Sequence, residues 1–392
     1  MRHITLFNSM SNYDWVRTFT DEMRYAFEQL GCVCQVIDAA RNPSAAECQK
    51  RLEQLGPHML FGFNAAGFGI RHPDGRFVPS EQYPYFNFMV DGPMYHGHWL
   101  PFMRSPHVYS GLCDPTHRRG ARRLGIPDER LLEIRHGGHV SPLARDDERT
   151  TDVVVLGTMA NPEQLRRSLQ AQLPAGVFRV FEIVAETWIG NLELGLYDIF
   201  DAVLADMGLE LGAEDRTNLE LVVCANVDRY VRNKERLRIL RGLSDVPIRV
   251  YGNGWQQAID WENRFTIGPE LSFNQAHEEL CRAKILINIQ PIAVHATAER
   301  ALGALVNGAA LCTTVNHFLS QHFLEGEQFM PFRSDAHGLE QIRSSIEELL
   351  AKPARRVAMY ESARETALRG HTWQHRAAEI LERTATAEAA AQ

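Results

Sequence analysis

Residues 265–314, FTIGPELSFNQAHEELCRAKILINIQPIAVHATAERALGALVNGAALCTT, read as two successive βαβ steps. Phe265 to Gly268 forms a short strand and Asn274 to Ala283 a helix. Ile285-Leu-Ile-Asn288 is an almost wholly apolar strand, the kind buried on both faces of a parallel sheet. A helix from about Ala298 to Asn307 follows, then a strand from Ala309 to Thr313. His295, Thr297, Glu299 and Arg300 fall where the second strand gives way to its helix. Open α/β sheets bind ligands there, and a helix start offers free N–H groups to an anion. This loop is therefore the first place to look for an anionic ligand.

Working outward, the N-terminal part repeats the alternation. Strands are expected at Ile4 to Phe7, Val33 to Ile37, Met59 to Phe63, Tyr85 to Val90, His107 to Leu112 and Leu131 to Arg135, with helices at Tyr13 to Leu30, Ala45 to Leu55 and Pro115 to Leu124. Such spacing predicts a mainly parallel sheet covered on both sides. Ser141 to Thr151, with Pro142 and the charged run Arg145 to Arg149, reads as a linker, and Asp152 to Gly157 restarts with a buried strand. Asn191 to Arg241 is helical and polar enough for an inserted or covering layer. Three helices are expected after Gly338, and the alanine-rich end from Thr384 to Gln392 is expected to fray. The resulting division is 1–145, 152–382 and a tail of 383–392.

Composition narrows the function. The chain has 392 residues, 45% hydrophobic and 23% charged, enough for two domains with separate cores. A net charge of -8 argues against general nucleic-acid binding. No apolar run is long enough to span a bilayer and no secretory leader precedes the first strand, so a cytoplasmic location is expected. Seven scattered cysteines point to free thiols, with Cys32 and Cys34 as packing residues on one strand face. Walker A, G-x-G-x-x-G after the first strand and G-x-S-x-G patterns are all missing, which disfavours kinases, simple dehydrogenases and α/β-hydrolases. His96, His98, His136 and His139 could supply imidazoles to a metal, but neither H-E-x-x-H nor Cys-x-x-Cys occurs to support that reading.

An ordered series of motifs resembles the C-terminal domain of CgeB-like bacterial glycosyltransferases. It runs through Tyr251-Gly-Asn-Gly-Trp255, Gly268-Pro269, Arg282 to Asn288, His295 to Arg300, Gly308 to Leu311, Phe323 to Gly326 and His371 to Arg376. The first half looks more loosely like an acceptor-side domain, through Val90-Asp-Gly-Pro93 with His96 and His98, and through Arg135-His-Gly-Gly-His139. The resemblance implies a GT-B fold, two Rossmann-like doubly wound domains facing across a cleft. It also implies transfer from a nucleotide-sugar, a UDP-sugar first with other nucleotides open, to a bacterial surface glycan or a protein such as flagellin. A non-catalytic nucleotide-sugar or glycan binder, or a sugar-nucleotide epimerase of similar fold, remains the alternative.

Glycosyl transfer needs a grip on the diphosphate, a pocket for base and ribose, and a group that takes the acceptor proton. Arg300, His295, Thr297 and the helix dipole are candidates for the first, against a reading in which Arg300 faces solvent and His295 caps the helix. Gly252, Asn253 and Trp255 form a Gly-rich turn that would let backbone approach a ligand, or else an ordinary turn. Relatives with the wider retaining pattern carry a glutamate five residues before the glycine that ends this helix; counting back from Gly308 gives Gly303. Glu299, one turn earlier, either reaches the same hydroxyls or only favours the helix start. Asp91 is the general-base candidate, expected to be partly desolvated with a raised pKa, or else it opens a turn. His136 and His139 could orient an acceptor or a phosphate, or belong to a surface turn. No required metal and no other cofactor is expected.

Overall fold

The computed structural model of the protein describes residues 2–78, 83–141 and 149–391. The chain divides into two compact units, Met1–Gly137 with His371–Gln392, and Gly138–Gly370. Residues 142–148 of the expected linker lie outside the described residues.

The first unit is built on β1 (His3–Asn8), β2 (Val33–Asp38), β3 (Met59–Phe63), β4 (Tyr85–Met89), β5 (Val108–Leu112) and β6 (Leu131–Glu133). All pair in parallel, in the order β2-β1-β3-β4-β5-β6. Every position of β3, β4 and β5 is buried, so MLFGF, YFNFM and VYSGL are near-continuous apolar runs, not alternating ones. Helices Trp15–Gln29 and Ala45–Leu55 carry the first two crossovers. The second starts at Ser44, whose hydroxyl accepts from Glu47 N at 3.1 Å, a cap worth about 1 kcal/mol. Strand order reverses between β1 and β3, so the switch point of this sheet lies beside Asn8 and Asn64.

The C-terminal segment belongs to this first unit, which corrects the expected boundary at 382. Trp373 is 1% exposed, with its ring 4.8 Å from Phe19, 5.6 Å from Phe63 and 5.7 Å from Phe88. Arg383 Nη1 donates to the Glu133 carbonyl at 2.5 Å. The helix Trp373–Ala391 continues through the stretch expected to fray, and Thr384 is buried, its hydroxyl donating to Ile380 O at 2.7 Å.

The second unit holds β7 (Thr151–Leu156), β8 (Arg249–Tyr251), β9 (Thr266–Ile267), β10 (Ala283–Asn288), β11 (Ala310–Thr314) and β12 (Met330–Phe332), again all parallel, in the order β12-β11-β10-β7-β8-β9. Period-two side-chain direction splits its core. Val153, Val155, Ile285 and Ile287 join Ile239, Leu240 and Ile342 on one face, while Val154, Leu156 and Leu286 join Leu302, Leu305 and Phe318 on the other. Each such side chain contributes about 1.5–3 kcal/mol on burial, which holds helices to both faces.

Four helices separate β7 from β8: Pro162–Gln172, Ala175–Ile189, Leu196–Asp206 and Ala213–Gly242. The layer begins well before the expected Asn191, at an Asn161 side chain that accepts from Glu163 N and Gln164 N, both at 3.1 Å, with Pro162 in the first turn. The 30-residue helix has no clean apolar stripe because Glu220, Asp228, Asn233 and Glu235 are buried among its apolar residues. That polarity puts charged groups near the carboxyl end of β7.

Candidate functional site

In the second sheet the order reverses between β7 and β10, and the ends of these strands carry the site. Asn288 ends β10; its Nδ2 donates to Thr313 Oγ1 at 2.9 Å, which directs its Oδ1 to accept from Arg300 Nε at 2.9 Å. Held through Nε, Arg300 presents the fork end of its guanidinium to the site, with Nη1 3.7 Å from Glu299 Oε1. From the long helix, Arg236 Nη1 donates to Thr158 O in the loop after β7 at 2.8 Å. One turn earlier Arg232 pairs with Asp228. Burial first, then the neighbouring Arg300 and Arg232 cations, push Arg236 well below the usual arginine range, with Asp228 and Glu299 opposing. Burial likewise lowers Arg300, Glu299 opposing and Arg232 adding. Three crowded, partly desolvated guanidiniums face two carboxylates. A bound dianion would relieve that repulsion.

The loop into helix Glu299–Asn307 is braced. Gln290 Nε2 donates to Ala293 O at 3.0 Å and Ala296 O at 3.1 Å, and its Oε1 accepts from Ala298 N at 2.8 Å. Ala293 takes a left-handed φ of 55 to allow this, and Asn316 Nδ2 also donates to Ala296 O. Within the braced segment the Thr297 hydroxyl is buried with no hydrogen-bond partner. An unsatisfied buried hydroxyl costs about 1–3 kcal/mol, which a ligand oxygen could offset. A recess of about 540 Å³ lies farther along the sheet edge, lined by Arg238, Gln290, Thr314 and Asp335, but Arg236, Glu299 and Arg300 do not line it. Thr314 Oγ1 there already donates to Gln290 O and accepts from Gln290 N.

Other candidates fall differently. The turn at Gly252 and Gly254 serves the chain itself: Met159 N donates to Asn253 O at 2.8 Å, and a Cβ on Gly254 would stand 1.8 Å from Met159 O. Trp255 is 1% exposed, its Nε1 donating to Gly157 O at 2.7 Å, so it is a core residue and not a ligand contact. Asn253 is exposed. His295 stacks on His317, ring centroids 4.8 Å apart. Gly303 is buried against the helix Phe273–Arg282, and a Cβ there would meet His277 Nε2 at 2.6 Å. No glutamate fits at that position without displacing His277.

His136 and His139 part company. His136 is a buried member of the first unit's aromatic core, 6.0 Å from Phe88 and 6.1 Å from Phe19. His139 belongs to the second unit, its ring edge-on to His277 at 4.9 Å and its carbonyl accepting from Asn307 Nδ2 at 3.0 Å. Neither lies in a surface turn. Asp91 follows the end of β4 as expected, yet it is exposed, not desolvated, and its Oδ2 accepts from Asn64 Nδ2 at 2.7 Å.

Buried histidines set a pH dependence. Burial lowers His277, with His139 adding, to about 4, and burial lowers His96 in the first unit, with His98 adding, to about 4. Unfolded histidine titrates near 6.5, so between about pH 6.5 and 4 the unfolded chain binds more protons and stability falls as pH falls. Each unit should lose up to about 1.4 kcal/mol per pH unit through its histidine. Urea unfolding at pH 7 and 5 measures this, and His277→Gln should flatten the slope of the second unit.

Sequence reasoning missed Arg232 and Arg236. Their four-residue spacing in Val231-Arg-Asn-Lys-Glu-Arg236 places them on one helix face, which was the available signal. Among the described residues no group of three or more His, Cys, Asp or Glu is arranged to hold a metal ion, and no helix is long and apolar enough to cross a membrane.

Residues 232–382 match the family model described as glycosyl transferase-like. No curated protein matches the chain in sequence. Among solved structures, sucrose-phosphate synthase from Thermosynechococcus elongatus is similar at a TM-score of 0.54 and 10% identity over 100% of both chains. A glycosyltransferase from Rickettsia africae gives 0.50 at 9% over 97% of each chain. HepE of Anabaena, in complex with UDP-glucose, gives 0.50 at 10% over 98% of this chain and 100% of that one. At such identities the likeness establishes the fold, which is GT-B. With a glycosyl transferase-like region on that fold, the enzyme class is glycosyltransferase.

Proposed function

We propose that the protein moves a sugar from a nucleotide-sugar, a UDP-sugar first, and that the second unit holds the donor with its diphosphate on Arg300, Arg236 and the start of helix Glu299–Asn307. The observation that carries this reading is the convergence of Arg236, fixed by Thr158 O, and Arg300, fixed by Asn288 Oδ1, at the switch point of the sheet in the matched region. HepE of Anabaena, similar in fold, is described with UDP-glucose. The bond from the anomeric carbon to the diphosphate oxygen breaks, and the guanidiniums and helix N–H groups stabilise the charge that gathers there. An acceptor hydroxyl forms the new bond and gives its proton to Asp91, the base assigned to the first unit. Two guanidiniums and a helix start can supply this positive charge without a metal ion, so chelation should leave turnover intact.

The acceptor class suggested by the family resemblance is a bacterial surface glycan or a protein such as flagellin, glycosylated on the cytoplasmic side. Incubation with a panel of UDP-, GDP- and ADP-sugars tests the core of the proposal. Free nucleotide should appear slowly with one member even when water is the only acceptor. Binding of a nucleotide-sugar with no release would instead favour the non-catalytic reading, which the side chain missing at Gly303 supports.

A further inference from the structure

We propose that Asn64 is a positioning residue that orients the Asp91 carboxylate for proton abstraction, an inference that rests on Asp91 being the base. β3 ends at Phe63, and the next two residues, Asn64 (φ 46) and Ala65 (φ 64), are both left-handed although neither is glycine. Consecutive conformations of this kind are strained, and they persist only where the surroundings over-determine them.

Here the surroundings are one short stretch of β4 and its exit. Asn64 N donates to Phe88 O at 2.9 Å and Ala65 N to Asn87 Oδ1 at 2.9 Å. The Asn64 carboxamide then works in both directions. Its Oδ1 accepts from Val90 N at 2.8 Å, and its Nδ2 donates to Asp91 Oδ2 at 2.7 Å. The ring of the buried His96 also bonds to the Asp91 backbone. One side chain thus reads the backbone of Val90 and fixes the carboxylate of the next residue.

A hydrogen bond to an exposed carboxylate adds little to folding, since water competes for both partners. What it changes is orientation. An exposed aspartate samples several rotamers, whereas a fixed donor at 2.7 Å from its Oδ2 restricts it. A glycine would take φ 46 without strain, so a turn needing only that backbone shape has no use for the carboxamide. The left-handed Asn64 lies beside the sheet's switch point, where ligands meet open α/β sheets.

The test measures hydrolysis of whichever UDP-, GDP- or ADP-sugar the wild type releases fastest, with water as acceptor. Asp91→Asn should lower turnover roughly a hundredfold. Asn64→Gly keeps the backbone and removes the clamp, and should lower turnover about tenfold with the donor KM unchanged. Asn64→Asp keeps an acceptor for Val90 N but turns a donor into a repelling oxygen, and should do the same in a chain that melts normally. In the Asp91→Asn background neither change should cost anything further. If Asp91→Asn is severe while both Asn64 variants run at the wild-type rate, the clamp is wrong and the base stands. If the Asn64 loss persists unchanged in the Asp91→Asn background, Asn64 acts only on the fold. Should Asp91→Asn itself stay within a few-fold of wild type, or no panel member be hydrolysed by the wild type, the base reading falls and takes the clamp with it.

Discussion

Replacing Arg236 and Arg300 together by alanine should weaken nucleotide-sugar binding by ~3–6 kcal/mol, more than a hundredfold, because each guanidinium would make a charge-assisted contact worth ~1.5–3 kcal/mol. The geometry explains why both are needed. Arg300 is anchored through Nε to Asn288 and Arg236 through Nη1 to Thr158 O, so each has one end fixed and another directed to the site. Burial first, and the Arg300 and Arg232 cations after it, lower Arg236, while burial first and Arg232 lower Arg300, so a bound diphosphate would compensate charges that the free protein holds partly desolvated. Calorimetry with the nucleotide-sugar bound by the wild type measures the effect, and raised salt should weaken the wild type far more than the double variant. Affinity within threefold of wild type, in a variant that melts normally, would move the diphosphate elsewhere.

Gly254→Ala should destabilise the second unit by about 4 kcal/mol or more, beyond the usual range for a single substitution. At φ 84 the residue is left-handed, and a methyl there would overlap Met159 O at 1.8 Å. The backbone carbonyl cannot swing aside as a flexible side chain would. Loop 157–159 would have to retreat, breaking Met159 N to Asn253 O and the bond from buried Trp255 Nε1 to Gly157 O. An unpaired indole N–H in the core adds its own penalty. For a unit of this size the melting temperature should drop by roughly 10 °C, read by calorimetry as an early transition of the second unit. A melt unchanged from wild type would mean that the two loops part at little cost.

Strand positions were readable because residues buried on both sheet faces leave unbroken apolar runs such as ILIN at 285–288. The candidate site was readable only in part. Arg300 and Glu299 announced themselves by standing at a strand-to-helix junction, whereas Arg236 comes from a helix more than 60 residues earlier, and no local pattern says that its face meets the loop after β7. Gly252 and Gly254 were legible as close-approach positions, but sequence cannot name what approaches, and here it is the loop after β7. Gly303 looked like a lost carboxylate; in three dimensions it is the space His277 requires. The paired histidines 136 and 139 fall into different units because the chain passes from one to the other between Gly137 and Gly138.

The return of residues 371–391 to the first unit bears on how the protein is made. A ribosome releases the six strands of the first sheet long before Trp373, so Phe19, Phe63 and Phe88 wait without their aromatic partner while more than 230 further residues are added. At the usual 5–20 residues per second the wait is roughly 10–50 s. Throughout that interval the aromatic cluster in which Trp15 and Phe19 pack on Phe63 lacks the ring that completes it. A premature stop near Gly370 would therefore harm the first half of the protein, which it leaves fully translated, as well as the end it removes.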